Sequence, residues 1–172
     1  MAHPAARRSV VVVMGVSGSG KTTIGEALAR RLGVPYAEAD AFHPAANIAK
    51  MSAGHPLDDA DREPWLAAIA AWIAERGGAG GVVSCSALKR RYRDVLRAAD
   101  PEAVKFLHLD VSKETILARV AGRSGHFMPV SLVDSQFEAL EPLGPDEPGI
   151  VVDAGLPPEK VAEIAIERLA LA

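Results

Sequence analysis

The sequence predicts an α/β fold in which a five-stranded parallel sheet is flanked by helices. Two observations carry this prediction. Short stretches rich in β-branched residues alternate along the chain with segments of helical period, as in parallel strands joined by helical crossovers. The length of 172 residues suits one α/β domain with its own core. We therefore expect a single domain over residues 1–172.

Five stretches are predicted to form the strands. Each is short and largely apolar, as expected for strands that are covered on both faces of a parallel sheet. They are residues 10–14, 35–39, 81–85, 105–110 and 149–153.

Five segments between or after these strands have helical period. They are residues 22–32, 61–76, 88–99, 112–121 and 157–171, and the glycine-rich residues 77–81 are predicted to be a helix-to-strand loop. Ligands of such sheets bind beyond the carboxyl ends of the strands, so the residues that follow each strand are candidates for function.

Composition excludes several classes of protein. The net charge of −3 and pI near 5.9 argue against a nucleic-acid binder, which needs a surplus of Lys and Arg. The apolar run at residues 10–14 is too short to span a membrane, and no signal-peptide pattern precedes it. Cys85 is the only cysteine, so no intrachain disulfide can form and a reducing, cytoplasmic location is expected.

The first strand is followed by a phosphate-binding motif, Gly-Val-Ser-Gly-Ser-Gly-Lys-Thr at residues 15–22. Backbone N–H groups of such a loop wrap a phosphate at a helix N-terminus, so the chain is predicted to be a P-loop NTPase. Lys21 would contact the β- and γ-phosphates of ATP as a catalytic residue, and the Thr22 hydroxyl would bind Mg²⁺. A purely structural glycine-rich turn is the alternative. The residues predicted to bind ATP here are Gly15, Ser17, Gly18, Ser19, Gly20, Lys21, Thr22 and Thr23.

Other features favour a compact metabolite kinase over a GTPase or motor. The chain has no Asn-Lys-x-Asp motif for guanine, and its third strand ends in Ser84-Cys85-Ser86 without the acidic residue of a Walker B strand. Metal binding would then rest on Thr22, phosphate oxygens and water, with Asp40 as an outer partner. Cys85 is interpreted as a core residue.

Asp40 and His43 follow the second predicted strand, beside the mouth of the P-loop. Asp40 can accept the proton of an attacking hydroxyl as the catalytic base, or it can cap the next helix or turn. His43 can form a hydrogen bond with a hydroxyl of a polyol, although a histidine in a loop often has no such role.

Basic residues suggest a site for an acidic substrate. Lys50 and Arg62 lie in a charged segment that is either a substrate clamp or a solvated loop. Lys89 and Arg93 are four residues apart after the third strand, so both can point into the cleft and bind a carboxylate.

A lid is predicted at residues 122–130, where Gly122 and Gly125 can act as hinges. Basic residues beside them, Arg119, Arg123 and His126, could close over ATP and the substrate, with Arg123 in a catalytic role. The alternative is a surface loop with ordinary basic residues.

Taken together, several motifs resemble the bacterial gluconokinases of the P-loop type. The resemblance covers nearly the whole chain from residue 10 to about residue 153. The motifs include Met-Gly-Val-Ser-Gly-Ser-Gly-Lys at 14–21, Asp-Ala-Phe-His-Pro at 40–44 with Asn-Ile at 47–48 and Lys-Met at 50–51, Pro-Leu at 56–57, Cys-Ser-Ala-Leu-Lys at 85–89 with Tyr-Arg-Asp at 92–94, Gly-His-Phe at 125–127 and Gln-Phe-Glu at 136–138. The resemblance implies ATP-dependent phosphorylation of D-gluconate at its 6-hydroxyl, a fold like that of nucleoside monophosphate kinases with a substrate-side insertion at about 41–64, and a homodimer.

The resemblance also implies roles by position. Gly18, Gly20, Lys21 and Thr22 would bind ATP and Mg²⁺, and Arg119 and Arg123 correspond to lid arginines. The gluconate side would be lined by Asp40, His43, Lys50, Arg62, Lys89 and Arg93, with His126 from the lid.

Two other functions fit part of the sequence. A shikimate kinase would also use Asp40, but the third strand is not followed by the expected Gly-Gly-Gly loop. A regulatory module that binds ATP without transferring phosphate would not need Lys89 or Arg93.

Overall fold

The computed structural model describes residues 8–121 and 130–171. Within them five strands form one parallel sheet in the order β2-β3-β1-β4-β5. The strands are β1 (Arg8–Met14), β2 (Tyr36–Glu38), β3 (Ala79–Ser84), β4 (Val104–Asp110) and β5 (Gly149–Asp153). The predicted five-stranded parallel sheet is therefore confirmed.

Helices cover both faces of this sheet. They are α1 (Lys21–Leu32), α2 (Ala45–Ser52), α3 (Asp59–Arg76), α4 (Arg90–Ala99), α5 (Lys113–Ala121), α6 (Val130–Ala139) and α7 (Pro158–Arg168), and a short 3-10 turn spans Ala39–Phe42.

The central strand β1 separates two apolar layers. Its residues 10–14 have no exposed surface, and alternate side chains point to opposite faces. Val11 and Val13 pack in the layer that contains Leu28 of α1, whereas Val12 packs in the layer that contains Ile73 of α3. Because β1 lies between β3 and β4, the loop that follows it starts from the middle of the sheet.

Helix α3 begins earlier than the predicted residue 61. The Asp58 carboxylate accepts a hydrogen bond from the Asp61 backbone N–H at 2.8 Å, and the Asp61 carboxylate accepts one from the Asp58 N–H at 2.9 Å. This reciprocal capping box satisfies two free donors of the first turn. Asp61 is thus the capping partner inside the helix and not its first residue.

Helices α2 and α6 are not among the helices predicted from the sequence. In α2 the only buried side chain is that of Asn47, so the segment lacks the apolar stripe from which an amphipathic helix is recognised. Residues 122–129 of the predicted lid lie outside the described residues. None of the helices in the described parts has the combined length and hydrophobicity of a membrane span.

Candidate active site

The predicted phosphate-binding loop connects β1 to α1 at the carboxyl end of the sheet. Gly15 has a φ of +153°, and a Cβ there would lie 2.8 Å from the Ser19 Oγ and 3.1 Å from the Leu109 carbonyl oxygen. Gly20 precedes α1 with a φ of +95° and caps it without a side chain. The Ser19 Oγ is buried and has no hydrogen-bond partner among the described residues. The loop thus offers a buried hydroxyl and helix N–H groups, as a phosphate site requires.

Lys21 bends back over this loop. Its Nζ donates hydrogen bonds to the carbonyl oxygens of Gly15 at 2.9 Å and Val16 at 3.0 Å. Burial lowers the pKa of Lys21 to about 8, while the charges of Asp40 and Glu38 act in the opposite direction. The negative charges of Glu38 and Asp40 thus favour the charged form of Lys21 at this end of the sheet.

Thr22 donates a hydrogen bond from its hydroxyl to the Glu38 carboxylate at 2.5 Å. The Tyr36 hydroxyl also donates to this carboxylate, at 2.6 Å. Burial and this hydrogen bond raise the pKa of Tyr36. A hydroxyl that binds a metal through its lone pair needs an acceptor for its proton, and Glu38 is placed to be that acceptor.

Glu38 is not among the site residues predicted from the sequence, because an acidic metal partner was expected at the end of the third strand. In the sheet, Glu38 of β2 is in register with Ser84 of β3, so the neighbouring strand brings in the carboxylate that Ser84 cannot provide. The signal in the sequence was an acidic residue at the end of β2, two positions before Asp40.

Arg119, which is predicted to bind ATP, lies beside the loop. Its Nη1 donates to the Gly18 carbonyl at 2.9 Å and its Nη2 to the Ala154 carbonyl at 3.2 Å. It borders a pocket of about 170 Å³, whose lining residues are Ser19, Gly20, Thr23, Ile24, Arg119, Ala154, Leu156 and Pro158. Because a guanidinium can stack on a flat ring and Ile24, Leu156 and Pro158 add apolar surface, this pocket suits the base of a nucleotide.

Gln136 is a second residue at the loop that sequence reasoning did not place there. From α6, its Oε1 accepts a hydrogen bond from the Ser17 backbone N–H at 2.6 Å, and its Nε2 donates to the Ser17 Oγ at 3.0 Å. Arg119 and Gln136 thus hold two consecutive loop residues from α5 and α6.

Asp40 lies exposed in the 3-10 turn directly after β2. Its charge acts on Lys21 and on the ring of His43. The His43 ring stacks on Trp65, with centroids 4.6 Å apart and planes inclined by 7°. The Trp65 Nε1 donates to the Ala39 carbonyl at 2.7 Å, which ties α3 to the turn that carries Asp40.

A cluster of cations surrounds the ring of Tyr92. Arg62, Lys89 and Arg91 lie 5.6, 5.8 and 5.6 Å from its centroid. The Tyr92 hydroxyl donates to Asp59 at 2.6 Å, and the same carboxylate pairs with Arg91 and lies 3.9 Å from Arg62. The Lys89 ammonium has no ion-pair or hydrogen-bond partner among the described residues. Positive charge is therefore in excess here, as a carboxylate site needs.

The prediction that Arg93 faces the substrate is corrected by the structure. Arg93 has no exposed surface, and its Nε and Nη2 donate to Glu147 at 2.6 and 3.0 Å. Further bonds run from Nη1 to the carbonyls of Ala87 and Leu88 and from Nη2 to that of Pro142. These five contacts match the five N–H donors of a guanidinium, so none remains for a ligand. Arg93 supports the loop that presents Lys89.

Lys50 also has a protein partner. Its Nζ donates to Asp61 at 2.5 Å and lies 3.8 Å from Asp58, so it links α2 to the capping box of α3. The hydrogen bond with Asp61 raises the pKa of Lys50. An ammonium has three N–H donors, so this ion pair leaves donors for the predicted contact with a substrate. Arg123 and His126 lie outside the described residues.

A P-loop at the end of a central parallel strand, with carboxylates and excess positive charge on the acceptor side, defines a P-loop kinase of small molecules. The family model described as shikimate kinase matches residues 17–143. The gluconokinase of Gluconobacter oxydans (strain 621H) is 51% identical over 161 residues, which cover 92% of this chain and 88% of that protein. The chain belongs to the gluconokinase family.

Further comparisons agree with this assignment. The thermosensitive gluconokinase of Escherichia coli (strain K12) is 51% identical over 81% of this chain and 75% of its own length. The crystal structure of a gluconokinase from Sinorhizobium meliloti 1021 matches with a TM-score of 0.87 and 47% identity, and covers 96% of this chain and 93% of that one. Solved shikimate kinases are only 16% and 20% identical, which shows a shared fold alone.

Proposed function

We propose that this chain transfers the γ-phosphoryl group of ATP to the 6-hydroxyl of D-gluconate, giving 6-phospho-D-gluconate and ADP. The observation that carries the proposal is the placement of the loop residues Lys21 and Thr22 at the carboxyl end of the sheet, where Thr22 is bonded to Glu38 at the end of β2 and Asp40 follows in the next turn. The proposal assigns these residues to one cleft, with the lysine for phosphate and the carboxylates for a metal and for a hydroxyl proton. The relatives that are 40–51% identical over most of the chain are named gluconokinases.

On the nucleotide side, the loop N–H groups and the Ser19 hydroxyl would hold the phosphates, and the Lys21 ammonium would move from the loop carbonyls to phosphate oxygens. Thr22, with Glu38 accepting its proton, fits Mg²⁺, a hard cation that prefers oxygen ligands. When bound, Mg²⁺ would neutralise charge on the phosphoryl oxygens. The pocket beside Arg119 would take the base.

On the acceptor side, Asp40 would accept the proton of the 6-hydroxyl, and His43 would bind a hydroxyl of the substrate. The gluconate carboxylate would bind to the cations around the Tyr92 ring. Lys89 keeps its predicted role there, and Arg62 takes the place of Arg93 as its partner. Arg123 and His126 keep their predicted roles in the segment 122–130. A homodimer and a cytoplasmic location are part of this proposal.

One assay tests the proposed function. Purified protein is mixed with MgATP and a panel of sugar acids, nucleosides and shikimate, and ADP release is measured. We expect turnover with D-gluconate and a product phosphorylated at the 6-position, as identified by NMR. Turnover with shikimate but not gluconate, or ADP release that no acceptor stimulates, would reject the proposal.

Glu38→Gln is expected to weaken the use of Mg²⁺. The amide is a weaker acceptor for the Thr22 proton, and the loss of an outer-shell partner typically costs about 10- to 100-fold in metal affinity or activity. The measurement is the Mg²⁺ concentration for half-maximal turnover. Glu26→Gln, on the exposed face of α1, is the matched control. Equal Mg²⁺ dependence of Glu38→Gln and the native protein would remove Glu38 from the metal site.

Lys89→Ala is expected to raise the KM for gluconate by about 10- to 100-fold, the range for a lost hydrogen bond between charged groups. The KM for ATP should change little, because Lys89 lies on the acceptor side. Steady-state kinetics with each substrate varied in turn measures both values. Arg97→Ala, which removes a half-buried cation later in α4, is the control. An unchanged KM for gluconate would exclude Lys89 from carboxylate binding.

A further inference from the structure

Asn47 of α2 is a buried polar residue that touches His43. Its side chain is 4% exposed, and its Nδ2 lies 2.8 Å from the Asp61 backbone carbonyl oxygen and 3.3 Å from the His43 Nδ1. A carbonyl oxygen can only accept a hydrogen bond, so the NH₂ end of the amide must face Asp61. This contact fixes the orientation of the carboxamide independently of His43.

The fixed amide determines which nitrogen of His43 carries the proton. One N–H of Asn47 is used by Asp61, which leaves the second N–H for the His43 Nδ1, 3.3 Å from the Asn47 Nδ2. Nδ1 must therefore be the acceptor, which leaves the proton on Nε2 and the ring neutral. An imidazolium would place a second N–H against that of Asn47.

The ring is also held in place. It stacks on Trp65, which is itself bonded to the Ala39 carbonyl, and the His43 backbone N–H donates to the Asp40 carbonyl at 3.4 Å. The Nε2–H on the far side of the ring from Asn47 therefore has a defined direction.

The charges around His43 come from three elements. Burial is the largest effect and lowers the pKa of His43; Asp40 of the 3-10 turn raises it, and Arg62 of α3 lowers it. From α2 the ring meets the neutral Asn47, and the nearby Lys50 is paired with Asp61. The net effect agrees with the neutral ring that the hydrogen bonds require.

We propose that Asn47 is a positioning residue that holds His43 as its neutral Nε2–H form, so that His43 donates one hydrogen bond to a hydroxyl oxygen of the acceptor. A cationic ring beside Asp40 would pair with that carboxylate and compete with the hydroxyl proton for it. The neutral ring leaves Asp40 available and suits an uncharged polyol end, while the anionic end binds elsewhere. The proposal rests on the proposed function for the identity of the acceptor.

The first test needs no substrate. In ¹⁵N NMR spectra of the native protein, with His43 assigned by the signal missing in His43→Gln, the proton should lie on Nε2 and the ring should titrate below 6.5, the ordinary pKa of histidine. A proton on Nδ1, or a pKa above 6.5, would overturn the proposal.

The second test uses Asn47→Asp and Asn47→Ala. The new carboxylate can accept a hydrogen bond from Nδ1–H, so Asn47→Asp should move the ring proton to Nδ1 and raise the pKa of His43 by about one unit or more. The kcat/KM for the acceptor should fall by about tenfold. This loss should be larger at acid pH, where more of the ring is cationic. Asn47→Ala removes the donor without fixing the other form and should lose less. Thermal melts confirm that both variants fold.

The outcomes separate the two proposals. A raised pKa of His43 in Asn47→Asp with unchanged kcat/KM would overturn the role of Asn47 in catalysis. Equal losses in both variants, with no shift of the His43 pKa, would reduce Asn47 to a packing residue and also overturn the inference. If the substrate panel identifies another acceptor, the NMR result stands and the kinetics are repeated with that acceptor, so failure of the proposed function is recognised separately.

Discussion

Asp40→Asn is expected to lower the turnover number by about 10²- to 10⁴-fold, the usual contribution of a positioned general base. The amide keeps the size of the side chain in the 3-10 turn but cannot accept the hydroxyl proton. Because Asp40 does not belong to the phosphate-binding loop, the affinity for ATP should change little. Steady-state kinetics gives the turnover number, and calorimetric titration gives the Kd for ATP.

A matched control is Asp94→Asn, which neutralises an exposed carboxylate on α4. It should keep native turnover. Turnover of Asp40→Asn close to that of the control would show that Asp40 is not the base. A large loss of ATP affinity would instead indicate that Asp40 acts through the nucleotide and the metal.

Arg93→Ala is expected to lower the free energy of unfolding by about 3–5 kcal/mol. The change leaves the Glu147 carboxylate buried without its partner, and breaking a buried ion pair on one side typically has this cost. Burial alone would raise the pKa of Glu147, but hydrogen bonds from Arg93 and from the Gly144 N–H lower it, and the variant leaves only the Gly144 hydrogen bond. Urea denaturation followed by circular dichroism measures the loss.

Arg30→Ala is the control for this prediction, since Arg30 forms an ion pair with Glu159 in which both side chains are more than half exposed. The double variant Arg93→Met, Glu147→Leu should recover part of the lost stability, because it removes both charges together but leaves the carbonyls that Arg93 bonded without a donor. A loss in Arg93→Ala below about 1 kcal/mol, as for exposed pairs, would contradict the interpretation of this pair.

The alternation of strands and helices could be predicted because buried parallel strands and amphipathic helices have distinct patterns. Strand β1 and its loop show both the pattern and the motif. Helix α2 could not be predicted in this way, since it buries only Asn47 and so has no apolar period. The start of α3 depends on reciprocal hydrogen bonds between Asp58 and Asp61, which a periodicity analysis centred on apolar residues did not detect.

The site was predictable where function follows a local motif, as at Lys21 and Thr22. It was not predictable where the partner comes from another element. Glu38 reaches Thr22 because β2 is in register with β3, and this register is a property of the folded sheet. Arg93 has the spacing from Lys89 that would share a helix face, but Glu147, 54 residues later, binds it in the core.

Strand β1 has a mechanical consequence for the loop that follows it. Edge strands and exposed helix ends can open by local fluctuations, whereas a central strand that is fully covered on both faces opens only when the whole domain unfolds. The glycines at residues 15–20 are intrinsically free to sample many conformations, yet they are attached to the most persistent part of the molecule. The end of β1 that carries the loop should therefore stay ordered during thermal motions that disturb the surface. A ligand then binds to a loop whose attachment point does not have to refold on binding.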